Sequence, residues 1–139
     1  MVNKLLVGKV DDNFNWLPLW VHLQDTAGVM KLLLENWIAD ATVESCGMQF
    51  ENFYAIAEFV AATHDIGKAT SYFQAIICKK VPILYDNIVS SGLIVCENML
   101  HRGKTPHSYA GQWILQSDTV GINLPESVAN VIGAHHGAP

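Results

Sequence analysis

The chain has 139 residues, enough for one domain with a core of its own and too few for two. Eight Lys and Arg stand against thirteen Asp and Glu, a formal net charge of −5. That argues against gripping nucleic acid through the chain's own basic surface, so such a substrate would have to be held by metal ions or by a partner. Half of the residues are hydrophobic and only 15% are charged, which predicts a face meant for another domain or chain.

Cys46, Cys78 and Cys96 are odd in number and widely spaced, with no CxxC pair and no pattern of a disulfide framework, which fits a reducing cytoplasm. The opening MVNKLLVGKVDDN has too short an apolar run for a signal peptide, and no stretch approaches membrane-spanning length. A soluble, cytoplasmic protein with no membrane partner is the expectation.

Helical spacing dominates the chain. In WLPLWVHLQDTAGVMKLLLENWI, Leu19, Leu23, Ala27, Met30, Leu34 and Trp37 recur every three or four residues, with His22 at the edge of the stripe. A second helix is predicted over 50–65, where Phe50, Phe53, Ala57, Val60 and Ala61 form the stripe, His64 continues it, and Gly67 is the terminator. SYFQAIICKK predicts a short helix, and VPILYDNIVSSGLIVCENML is read as helical although its apolar runs show no period. TPHSYAGQWILQ and LPESVANVIGAHHG each place a proline at the first helical position. The first puts His107 in the opening turn; the second aligns Val128, Val131 and Ile132 with His135. The sum is a mainly α-helical chain of about six helices.

The chain has six histidines: His22, His64, His101, His107, His135 and His136. One imidazole on an apolar face is ordinarily a hydrogen-bonded core residue. Four helices each turning one inward is a different matter, because several imidazoles in one interior are costly to desolvate without a shared ligand. A divalent cation is the economical ligand. Asp65, adjacent to His64, could bridge two such ions. Imidazole-rich sites favour Mn, Fe, Co, Ni or Zn over Mg, and in the best-known zinc case the ion lowers the pKa of its water to about 7. Lys68, three residues past Asp65, has two readings of equal weight: attraction of a substrate phosphate, or a solvated lysine at a helix end. His101, followed by Arg-Gly-Lys, reads as a surface histidine and as the competitor of His107.

Four pieces, WLPLWVHLQDTAGV, HDIGKATSYFQ, HSYAG and AHHG, span residues 16 to 137 or nearly so. Together they resemble the HD phosphohydrolase superfamily and, more narrowly, the HD nuclease domain of the type I CRISPR-associated helicase–nuclease. HD alone is a weak signal and HDIGK is shared by many HD enzymes; FQ, HS and HHG at these distances are more specific. The resemblance implies an all-α HD-domain helical bundle over residues 1–139. It implies that His22, His64 and Asp65 hold one metal, and that Asp65 bridges to a second held by His107, His135 and His136. Lys68 would contact the scissile phosphate. Ser108 has two readings, a nucleic-acid contact or a helix cap, and Phe73 is read as packing. Asp25 fits the family's H-x-x-D spacing and is read as a solvated or outer carboxylate. His136 could instead hydrogen-bond substrate, since neighbours on a helix point about 100° apart. The family has a further aspartate downstream of HHG, and the chain stops at Pro139, so it is expected to be the N-terminal part of such a domain, without the helicase.

The function so implied is metal-dependent hydrolysis of single-stranded DNA in CRISPR antiviral defence, with up to two transition-metal ions. Its expected partners are a helicase domain or subunit and an RNA-guided surveillance complex. Two rivals are a nucleotide or cyclic-nucleotide phosphohydrolase of the same superfamily and a non-catalytic docking fragment.

Overall fold

The computed structural model describes residues 4–38, 40–95, 105–118 and 120–137. Two short strands, β1 (Val7–Val10) and β2 (Trp16–Pro18), open the chain as an antiparallel hairpin. Helices α1 (Leu19–Asn36), α2 (Asp40–Ser45) and α3 (Phe50–Thr63) follow. A 3-10 turn over Ile66–Ala69 leads to α4 (Ser71–Lys80), and a second over Pro82–Leu84 to α5 (Tyr85–Ser90). Helices α6 (His107–Gln116) and α7 (Glu126–Gly133) complete the described elements. The architecture is all-α, seven helices among the described residues beside a minimal sheet.

The sheet went unforeseen because strands of four and three residues are too short for a two-residue alternation to register. It is held from both ends. Asp11 Oδ1 accepts from the backbone N–H groups of Asn13 at 2.9 Å and Asn15 at 2.8 Å, closing the turn. The register, Val7 opposite Pro18 but Lys9 opposite Leu17, leaves Gly8 as the extra residue of a bulge. A Cβ on Gly8 would lie 2.9 Å from Leu19 Cα and 3.2 Å from His22 Cβ, so the bulge lets the strand lie directly on the start of α1.

Val7 also belongs to the buried cluster that it forms with Ile77, Cys78, Val81, Leu84 and Ile88 of α4, α5 and their connection. Elsewhere α1 lies along α3, where the Tyr54 hydroxyl donates to the Leu34 carbonyl, and α6 packs on α7 and on the first 3-10 turn. Among the described residues, no helix is long and apolar enough to cross a membrane. The apolar composition does reach the surface: Ile83, Trp113 and Trp37 are 86%, 82% and 80% exposed.

Several sequence expectations are corrected. Trp37 lies past the end of α1 and faces solvent rather than continuing the stripe of Leu19 and Leu34. The helix predicted over 50–65 ends at Thr63, so Gly67 does not terminate it. The stretch read as one helix from Val81 holds only the turn and the six residues of α5, with no regular element over 93–95. Its remaining residues, with Cys96 and His101, lie outside the described residues. Pro106 and Pro125 sit one position earlier than expected, as N-caps; their carbonyls accept from Ala110 at 3.1 Å and Ala129 at 3.0 Å. Val131 is exposed, and the inward face of α7 is Ala129, Ile132 and Gly133.

Candidate metal centre

Helix α3 delivers its C-terminus to the middle of the domain. His64 caps it, and Asp65 then turns into the 3-10 segment, whose Lys68 N–H donates to the Asp65 carbonyl at 2.9 Å. That tight i to i+3 turn carries the Lys68 side chain back over the Asp65 carboxylate. Gly67 lies between them for a different reason from helix termination. A Cβ there would sit 1.8 Å from the His107 carbonyl oxygen and 2.6 Å from the Gly111 nitrogen. Only glycine lets the turn rest on the backbone of α6, and that contact sets His107, the first residue of α6, beside Asp65.

Asp65 is 3% exposed and is the hub of the site. Its Oδ2 lies 2.7 Å from His22 Nε2, 3.2 Å from His64 Nε2 and 2.6 Å from Lys68 Nζ. Its Oδ1 lies 3.0 Å from His107 Nε2 and 3.3 Å from His135 Nε2. His136 joins through His107, their Nε2 atoms 2.8 Å apart. Two donor groups result, His22, His64 and Asp65 on one side and Asp65, His107, His135 and His136 on the other, the ligand atoms in each within 4.8 Å of one another. Either group could hold a metal ion.

Ring orientation supports that fit. His64 Nδ1–H donates to the Ala61 carbonyl at 2.8 Å, and His135 Nδ1–H to the Ile132 carbonyl at 2.6 Å. In a neutral ring at His135 this fixes the tautomer and leaves the Nε2 lone pair facing Asp65 Oδ1, the arrangement of a metal-ligating histidine, whereas His64 Nε2 is hydrogen-bonded to Oδ2. Lone pair against lone pair is repulsive unless a cation lies between. Among the described residues, Asp65 Oδ1 and His135 Nε2 are both buried without a hydrogen-bond partner, which is where such a cation is wanted.

The charges follow the same division. Burial works against ionising Asp65, but hydrogen bonds from His64, Lys68 and His22 outweigh it and hold the carboxyl far below the usual range. The hydrogen bond to Asp65 raises the pKa of His64 against the opposing effect of burial. Burial lowers that of His107, Asp65 opposing it and the charge of Lys68 adding to it, a direction that favours the neutral, ligating form.

All six residues expected to hold metal are thus brought to one place. His22 comes from α1, His64 from the end of α3, His107 from the start of α6, and His135 and His136 from the turn after α7. That last placement removes the expected difficulty with adjacent histidines: because α7 has already ended, both rings lie on the same side, 4.2 Å apart, His135 inside and His136 at the exposed edge. Phe73 packs edge-on to His107 with ring centroids 5.5 Å apart. Asp25 is exposed. Ser108 is buried on the inner side of α6 and does not cap that helix, whose N-cap is Pro106. Sequence reasoning took Gln74 only as part of the FQ pair and gave it no role in the site. It is fully buried, and the signal was a polar residue beside Ala75, Ile77 and Cys78 on the inward side of α4.

Helices meeting around an adjacent His–Asp pair, with further imidazoles from the N-terminal and C-terminal helices, define an HD-type domain. The family described as "Cas3, HD domain" matches residues 8–139, and the chain belongs to that family. It is also 31% identical over 150 aligned residues to the "CRISPR-associated nuclease/helicase Cas3" of Streptococcus thermophilus, covering 89% of this chain and 14% of that protein. The chain therefore spans about one seventh of that relative's length. No solved structure matches it.

Proposed function

We propose that the chain is the metal-dependent nuclease part of a CRISPR-associated nuclease–helicase system, hydrolysing phosphodiester bonds of single-stranded DNA in the cytoplasm. The observation that carries this reading is one buried aspartate whose two oxygens face two separate sets of imidazoles. His22, His64 and Asp65 hold one divalent ion, and Asp65, His107, His135 and His136 a second. Nitrogen-rich donors select Mn, Fe, Co, Ni or Zn. When bound, such ions supply an activated water nucleophile and neutralise charge on the phosphate. The protein's own residues set the frame. Asp65 fixes the two groups relative to each other, and Lys68 presents an ammonium beside the same carboxylate, where a phosphate oxygen can meet it. Since the chain is acidic, the strand is delivered by a helicase portion and an RNA-guided complex rather than captured by this surface.

The test is Mn- or Ni-dependent cleavage of circular single-stranded DNA. Asp65→Ala is expected to abolish stoichiometric metal binding and lower cleavage by about a thousandfold or more, a loss of about 4 kcal/mol in transition-state stabilisation. Unchanged cleavage in that variant rejects the assignment of the site. Turnover of nucleotides with no DNA cleavage would move the reading to a small-molecule phosphohydrolase.

A further inference from the structure

The Gln74 amide joins three places in the chain. Its Oε1 accepts from the Val7 N–H at 3.2 Å, and its Nε2 donates to the carbonyls of Val7 at 2.8 Å and Lys68 at 2.7 Å. The side chain is fully buried, so each of these bonds replaces water that cannot enter. The bond to Lys68 fixes the 3-10 turn that carries Asp65 and Lys68. The pair to Val7 fixes β1, whose next residue, Gly8, would bring a Cβ within 3.2 Å of His22 Cβ.

His22 and Lys68 are the two groups nearest Asp65 Oδ2, at 2.7 Å and 2.6 Å. One lies against the strand that Gln74 pins and the other belongs to the turn that it pins. The other imidazole group is tied less directly: His107 rests on Gly67 of the same turn only through the backbone of α6, and His135 and His136 come from the turn after α7.

We propose that Gln74 is a positioning residue, an amide bolt that sets the spacing of His22 and Lys68 across Asp65 Oδ2. It thereby governs the ion held by His22, His64 and Asp65 without touching it. The inference rests on the two-ion reading above and adds to it a selectivity: loss of the bolt weakens the ion of the His22 group more than the other. Aliphatic packing alone predicts no such split, since the Gln74 side chain contributes to the same core whichever ion is bound.

The experiment is calorimetric titration with Mn, each group being isolated in turn by His107→Ala or His22→Ala. In the chain lacking His107, Gln74→Met keeps the volume and loses the hydrogen bonds, and is expected to weaken the ion about 10–100-fold, as outer partners of ligands do. In the chain lacking His22 the same change is expected to alter affinity less than about threefold, because the bolt reaches that group only through the Gly67 contact with α6. Ile88→Ala, a cavity in the same buried cluster, controls for lost packing and is expected to leave both affinities unchanged. Gly8→Ala crowds His22 from the strand side and is expected to reproduce the selective loss; it decides the matter if Gln74→Met does not fold. Equal weakening of both ions, no weakening of either, or the same loss in Ile88→Ala overturns the role of Gln74. Failure of the unaltered chain to bind Mn at all sinks the two-ion reading instead, and this inference with it.

Discussion

The two oxygens of Asp65 live in different surroundings. Oδ2 is crowded with the protein's own donors: His22, His64 and the Lys68 ammonium all lie within 3.2 Å. Oδ1 faces His107 and His135 at 3.0 Å and 3.3 Å yet has no hydrogen-bond partner among the described residues, and neither has the His135 Nε2 opposite it. One side is satisfied by internal charge and held by a buried amide. The other is left electrostatically open, with His136 at the solvent edge. A single carboxylate can therefore be both a structural counter-ion and a bridging ligand, because the two tasks fall on different atoms.

The largest expected effect breaks the joint between the two sides. Gly67→Ala forces a Cβ into the backbone of His107 and Gly111, which no rotamer change relieves. The Asp65 turn and α6 must separate, at about 3–4 kcal/mol of stability. Thermal unfolding measures that loss, and metal titration is expected to show the His107 group failing before the His22 group. A stable Gly67→Ala protein with both ions retained would show that the close contact is incidental.

A smaller effect sharpens the contrast itself. With metal chelated, His22→Ala removes a hydrogen bond to a buried charge and is expected to cost about 1.5–3 kcal/mol. His135→Ala loses its bond to the Ile132 carbonyl but none to the carboxylate, and is expected to cost less. Saturating Mn enlarges the cost of His135→Ala, because only the unaltered chain then gains about 2.7 kcal/mol from that ion at a hundred times its Kd. Denaturant midpoints of the two variants, with and without metal, give the comparison. Identical costs in chelator would remove the distinction between the two oxygens.

The smallest effect lies away from the site. Trp113 is 82% exposed, and Trp113→Ser is expected to change stability by less than about 0.5 kcal/mol and to leave the ion stoichiometry intact. A large loss in unfolding free energy would mean that this indole is covered in solution.

Much of the site was legible in the sequence as chemistry and little of it as geometry. HDIGK, HS and HHG name the residues that meet around Asp65, and the helical stripes place His22 and His64 inward. The adjacency of His64 and Asp65 and the reach of Lys68 are local, set by three or four residues of chain. The helix expected to carry His135 stops short at Gly133, and that ending is what lets two neighbouring imidazoles share one site. Nothing in a helical period reports where a helix will yield to a turn that tertiary packing favours.

By itself, then, the sequence determined the all-α class, the inventory of imidazoles and the carboxylate they would surround, because residue type and short-range periodicity carry that information. Only the tertiary structure decided which oxygen of Asp65 each ring addresses, why Gly67 and Gly8 lack a side chain, and that Gln74 ties β1 to the Lys68 turn. Those contacts join residues 43 and 67 positions apart, as with His22 to Asp65 and Val7 to Gln74. Partners so distant along the chain are chosen by packing and by the need to satisfy buried polar groups, which no local pattern encodes.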